Sequence, residues 1–203
     1  GVSRIYLALD GAKDQVSYDF QEDALKELCD YAKVNDLTLL VRRRHSNAGL
    51  AVAVIEGISW FFESEEFGVI LEDDLEVSPS FFTFVRSALE EYEGNQNIAV
   101  ISGNNYFAHH FNASVNATHY PLIWGWATSR NIWNEISADR KLGEKGRLNQ
   151  NQSKSENQYW RAGARRSSRG AVDAWDNILV YRMLLRSKFA ILPRRTLVSN
   201  IGS

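Results

Sequence analysis

Three consecutive carboxylates, Glu72-Asp73-Asp74, follow directly on the apolar run of residues 67–71. Side chains alternate along an extended strand, so Glu72 and Asp74 are expected on one side and Asp73 on the other. Like charges that close repel, and their desolvation is expensive unless a cation neutralises them. Hard oxygen ligands of this kind suit Mn²⁺ or Mg²⁺, which keep several waters and bind substrate phosphates as well. The competing reading is a solvated acidic turn ahead of a helix, whose N-terminus welcomes negative charge. Two more strand ends carry complementary groups. Asp10 closes the run 5–9 and can accept hydrogen bonds from a base or a ribose, or simply serve as a turn aspartate. Arg42-Arg43-Arg44-His45 closes the run 37–41, where arginines can neutralise a diphosphate or form an ordinary basic loop. Together, three such strand ends favour a nucleotide-diphosphate site.

Alternating strand and helix patterns must position these groups, the mark of an α/β fold. Strands are expected at residues 5–9, 37–41, 67–71, 98–102 and 189–192. Helices are expected at 21–34, where Leu25, Leu28, Cys29 and Ala32 share a face, at 47–63, from Ser78-Pro79 onward, around Trp133, and at 171–187. In open α/β sheets the ligand crevice lies outside the carboxyl ends of the strands, where all three groups fall.

The 203 residues suit one domain with a substantial core, and 44% apolar with 24% charged residues is an ordinary globular balance. A net charge of −2 gives no sign of a nucleic-acid partner, and a single cysteine excludes an internal disulfide framework. No apolar run is long enough to span a bilayer, which leaves only peripheral membrane association open. Residues 140–170 change character: nine basic and two acidic side chains, almost no aliphatic ones, and hence a net of +7 against −9 elsewhere. That composition predicts a mobile loop. Trp124 and Trp126 are candidates for stacking on sugar rings, against the commoner role of core aromatics.

The run Glu72-Asp73-Asp74-Leu75-Glu76-Val77-Ser78-Pro79-Ser80-Phe81-Phe82 resembles the signature of N-acetylglucosaminyltransferase I and related glycosyltransferases of the GT-A fold. Arg44-His45, Gly125-Trp126 and Trp175-Asp176 fall in that family's order. The stretches Ile101-Ser102-Gly103-Asn104 and Trp124-Gly125-Trp126-Ala127-Thr128 resemble a bacterial branch of polysaccharide sugar transferases. The resemblance covers residues 5–202. It implies a GT-A domain, a mostly parallel sheet flanked by helices in three α/β/α layers, over residues 1–203 without the family's first strand–helix pair. It also implies a role for each matched residue. Asp74 would ligate the metal, Asp73 contact the ribose and Glu72 the donor sugar. Asp10 and His45 would hold a uracil ring, with Arg44 beside them. Asp176, after Trp175, would be the catalytic base of an inverting transfer, with Asp173 the competitor one helical turn earlier. The loop 140–170 would act as a lid, with Arg165, Arg166 and Arg169 near the phosphates.

The expectation is therefore a Mn²⁺- or Mg²⁺-dependent transferase moving a sugar from a nucleotide donor, UDP-linked for preference, to a glycan hydroxyl. Its rivals are a glycosyltransferase-like domain that binds nucleotide or glycan without turnover, and a metal-dependent phosphohydrolase. The setting expected is bacterial cytoplasm, with a Golgi lumen as the alternative. Oligomeric state is not legible.

Overall fold

A computed structural model describes residues 3–92, 94–106, 115–137, 153–172 and 174–202. The fold is mixed α/β, and the chain divides into two compact units, Gly1–Glu63 with Asp173–Trp175 and Ser64–Val172 with Asp176–Ser203.

The first unit is a βαβ crossover with a further helix. Strand β1 (Arg4–Leu9) pairs in parallel with β2 (Thr38–Arg43), in register from Arg4↔Thr38 to Leu9↔Arg43. Helix α1 (Gln15–Val34) makes the connection that parallel strands require. It begins at Asp14, whose carboxylate accepts from the Ser17 amide at 2.8 Å, six residues before the start read from apolar spacing. The reason is visible in the first turns: Val16 and Phe20 are exposed, so the buried stripe is legible only further along. Helix α2 (Leu50–Ser64) packs on β1 through Tyr6, whose ring meets Trp60 and Phe61 edge-on at 5.2 and 4.9 Å.

In the second unit a five-stranded sheet runs in the order β3-β7-β5-β8-β6. These strands are β3 (Phe67–Ile70), β5 (Ile98–Ser102), β6 (Val115–Thr118), β7 (Trp126–Ser129) and β8 (Phe189–Pro193). A separate antiparallel pair joins β4 (Leu75–Val77) to β9 (Val198–Asn200). The sheet is mixed rather than mostly parallel: β5 and β8 run parallel, while β3/β7, β5/β7 and β6/β8 run antiparallel. The short strand β7 enters reversed between β3 and β5 and separates two strands that would otherwise pair in parallel. Its sequence, Trp-Ala-Thr-Ser, carries too little apolar alternation to announce it.

Helix α3 (Pro79–Glu91) starts where Ser78-Pro79 indicates, although the Ser78 hydroxyl pairs with that of Ser80 at 2.8 Å instead of capping the helix. Its face of Phe81, Val85 and Ala88 forms a core with Ile101, Ala127, Leu197 and Val198. Helix α4 (Arg130–Ser137) buries Trp133 against Trp126.

The polar stretch expected to be a loop is corrected in part: Lys154–Ser168 is helix α5. A capping box explains it, since Ser153 accepts from the Glu156 amide while the Glu156 carboxylate accepts from the Ser153 amide. Small residues then let the helix approach α6 (Asp176–Leu185) closely. Ala164 packs with Val180, Tyr181 and Leu184, and Tyr120 and Trp160 close over them. Residues 140–152 of that stretch lie outside the described residues.

Two outcomes follow. Ser153→Ala removes the cap and lowers stability by about 1 kcal/mol in denaturant titration, and amides of residues 160–167 resist hydrogen exchange as a packed helix does. Gly103→Ala destabilises by about 1–3 kcal/mol, because a β-carbon there would stand 2.5 Å from Val198 and 2.6 Å from the Gly125 carbonyl oxygen.

Candidate functional site

Strand β3 is the edge of the five-stranded sheet and only half-buried, not the buried strand its apolar run suggests. It ends at Ile70, and the chain turns through Glu72-Asp73-Asp74 into β4. Glu72 and Asp74 are half-buried and Asp73 is exposed, but β3 has ended and Asp73-Asp74 form a turn, so strand alternation does not sort them. Burial, followed by the charges of Asp74, Asp73 and Asp176, pushes the Glu72 carboxyl above its ordinary value. Asp176 is the first residue of α6 and half-buried, so the acidic turn and the expected base act on one carboxyl.

Asp74 is held from the C-terminal strand. Its Oδ2 accepts from Asn200 Nδ2 at 2.8 Å, and its backbone carbonyl accepts from the Ile201 amide at 2.8 Å. Asn200 is itself oriented, because its Oδ1 accepts from the Gly202 amide at 2.9 Å. This Asn200 clamp was missed in the sequence. Only a pairing of β4 with β9, across more than a hundred residues, brings it to the acidic turn.

The same edge gathers residues from β5 and β7. Ile70 and Ser102 both pair with Trp126, so the chain leaves β3 and β5, and enters β7, at one end of the sheet. There the Gly103 amide donates to the Gly125 carbonyl at 2.7 Å, and Gly125 holds φ +60° against Val198. The two tryptophans flanking Gly125 have opposite fates. Trp126 is 1% exposed and belongs to the core, which removes it as a stacking candidate, whereas Trp124 is 38% exposed.

In the first unit, Asp10 is occupied by backbone. Its Oδ1 accepts from the amides of Gly11 and Ala48, and its Oδ2 from Ala48 and Gly49, all between 2.9 and 3.1 Å. Gly11 is required there, since a β-carbon would meet the Ser46 carbonyl carbon at 2.1 Å. Asp10 therefore ties the end of β1 to the loop entering α2. Arg44 pairs with Glu56 and stands 3.6 Å from Asp10, while Arg43 pairs with Glu22. His45 is exposed on this loop, and Trp175 is buried immediately before α6.

Arg165, Arg166 and Arg169 sit exposed at the end of α5, fixed to a helix rather than a loop. Asp173 lies outside the described residues. Among the described residues, no set of three or more acidic, histidine or cysteine side chains is arranged around a common point as a metal cage. Nor is any described helix long and apolar enough to cross a membrane.

On unfolding, Glu72 returns to about 4.5, so the native chain holds more protons above that pH. The associated stability is fully present below the ordinary value and is lost as pH rises through the raised one. Glu72→Gln therefore melts higher than wild type at pH 7.5, by about 2–4 °C for each kcal/mol recovered, and the difference disappears by about pH 4. Calorimetry at the two pH values checks it. Against known proteins, no family model matches the chain, and no curated protein matches it.

Proposed function

We propose that this chain is a GT-A type glycosyltransferase, moving a sugar from a nucleotide diphosphate donor, UDP-linked for preference, to the hydroxyl of a glycan. The observation that carries the reading is the electrostatic meeting at Glu72. Burial raises the pKa of this half-buried carboxyl most, and Asp74, Asp73 and Asp176, from a turn and a helix a hundred residues apart, add to it, beside an Asp74 carboxylate held in place by Asn200. A fold tolerates such crowding where a cation or a proton transfer uses it.

The donor set fits Mn²⁺ or Mg²⁺ bound with a substrate. Such ions need only one or two carboxylates when phosphates and waters complete the shell. Asp74 would hold the ion, with Asn200 occupying Oδ2 and fixing the carboxylate plane. The ion supplies charge neutralisation for the departing diphosphate. Asp176 accepts the proton of the acceptor hydroxyl as its oxygen bonds to the anomeric carbon and the bond from that carbon to the diphosphate oxygen breaks. One base and one leaving group suffice, so the anomeric centre inverts. Asp73, exposed in the same turn, would contact a ribose hydroxyl, and Glu72 the donor sugar. In the first unit, the loop held by Asp10 presents His45 at the carboxyl ends of a parallel strand pair, where nucleotides bind in α/β folds.

The test is thermal melting with UDP, with and without Mn²⁺. The expected result is a rise that needs both and is abolished in Asp74→Ala. With a matched acceptor, Asp176→Asn lowers kcat by at least about a hundredfold while leaving the UDP-dependent rise intact. Absence of any nucleotide-dependent rise in wild type overturns the reading. Cleavage of the nucleotide sugar without acceptor, at a rate unchanged in Asp176→Asn, assigns the chain to the phosphohydrolases instead.

A further inference from the structure

Helix α5 has one face turned into the fold and one turned out of it. On the inner face, Ala164 packs with Val180, Tyr181 and Leu184 under Trp160, and the Ser167 hydroxyl accepts from Asn177 Nδ2 at 3.4 Å. The opposite face is a stripe of Gln158, Tyr159, Ala162, Arg165, Arg166 and Arg169, recurring at helical spacing and exposed throughout. It runs for about 17 Å along the helix. Tyr159 is 64% exposed at one end, and three guanidinium groups stand at the other.

The charge of this stripe is left open. Among the described residues, Arg165, Arg166 and Arg169 have no ion-pair or side-chain hydrogen-bond partner, whereas Arg43, Arg44 and Lys188 are matched to Glu22, Glu56 and Glu135. The helix's one carboxylate, Glu156, is engaged elsewhere, by the Ser153 amide and by the Tyr120 hydroxyl at 2.7 Å. A helix C-terminus favours cations, but arginines three and four residues apart repel one another. The wider charge distribution has the same sense: residues 140–170 carry +7 and the rest of the chain −9. An extended negative surface therefore attracts this segment, repels the remainder and turns the molecule to present the stripe.

We propose that the outer stripe of α5 docks on an anionic membrane surface, with Arg165, Arg166 and Arg169 on lipid phosphates and Tyr159 at the headgroup boundary. The guanidinium fork matches phosphate oxygens, and a tyrosine ring joins an apolar body to a wet tip, as that boundary requires. The helix lies along the surface and does not cross it, since it is 15 residues long and strongly polar. Single-stranded nucleic acid is the rival polyanion, but it is held in a cationic groove on several stacked rings. A convex helix face with one exposed ring supplies neither. The inference stands apart from the glycosyl-transfer reading, because the stripe lies on the side of α5 away from α6, which begins at Asp176.

Co-sedimentation of the full chain with vesicles tests it, using phosphatidylcholine alone or with about 30% phosphatidylglycerol at about 0.1 M salt. Wild type binds the anionic vesicles and not the neutral ones, half of it bound at about 5 mM lipid. Arg165→Gln, Arg166→Gln and Arg169→Gln each lower the partition coefficient about fivefold. Arg86→Gln, at an exposed arginine of α3, leaves it unchanged. Replacing all three arginines by lysine preserves binding, and an unchanged melting temperature shows that α5 is intact in every variant. Wild type that stays in the supernatant, or binds both vesicle types equally, overturns the proposal, as does a triple Arg→Gln variant that still sediments. A short single-stranded RNA bound through these arginines, without vesicle binding, reassigns the face to nucleic acid. Loss of the UDP-dependent melting shift in the triple Arg→Gln variant, with vesicle binding unchanged, places the arginines on donor phosphates and also overturns it.

Discussion

The second unit is organised around one side chain in a space that only glycine leaves free. A methyl group of Val198 stands 2.5 Å from where a β-carbon would sit on Gly103, and 2.8 Å from the corresponding point on Gly125. Two strand ends thereby close on the C-terminal strand, and the Gly103 amide reaches the Gly125 carbonyl at 2.7 Å while its own carbonyl accepts from Leu197. Interiors pack at crystal-like density, so a fit of this kind transmits position rather than absorbing it. With Val198 fixed, the alternation of β9 brings Asn200 to Asp74, and the acidic turn acquires its orientation from the far end of the chain.

That placement has an electrostatic cost. Glu72 is half-buried, and that burial, followed by the charges of Asp74, Asp73 and Asp176, holds its carboxyl above its ordinary value. Elsewhere the fold handles charge differently. Lys188 is 5% exposed yet donates to the Glu135 carboxylate at 2.7 Å and the Gln96 carbonyl at 2.6 Å, and the buried Arg182 donates to the Ile136 carbonyl at 2.6 Å. Among the described residues these two buried cations are hydrogen-bonded within the fold, whereas Asp74 in the acidic turn is held by the Asn200 amide and its backbone carbonyl by Ile201.

The features legible in the sequence were those written locally. Apolar runs announced β1, β2, β3, β5 and β8 within one or two residues, and Ser78-Pro79 placed the start of α3. Elements created by pairing were not legible. Strands β4, β6, β7 and β9 are three or four residues long and exist because a distant partner completes their hydrogen bonds, and without β6 and β7 the sheet reads as parallel. Helix α5 was hidden by its polarity. Its signal was the Ser153–Glu156 capping box, overshadowed by seven basic residues between 140 and 165 that read as loop. At the site, Asp74 stood out within its acidic run and Asp176 through the Trp175-Asp176 resemblance, but Asn200 did not, since an asparagine carries no signal until burial and partner are known.

Trp124 and Trp126 show how backbone geometry divides labour that composition leaves undivided. They are two residues apart, the spacing that would place both on the same face of a continuous strand. Gly125 breaks that equivalence with φ +60°, a conformation costly for any side chain but free for glycine. The chain turns at the glycine before β7 begins. Trp126 then enters the core against Trp133, and Trp124 stays at the rim beside Tyr106. The same glycine packs on Val198, so the bend that exposes Trp124 and the contact that leads through β9 to Asp74 share one residue. A substitution at Gly125 would strain both at once, which links the exposed aromatic rim to the acidic turn through Val198 and Asn200.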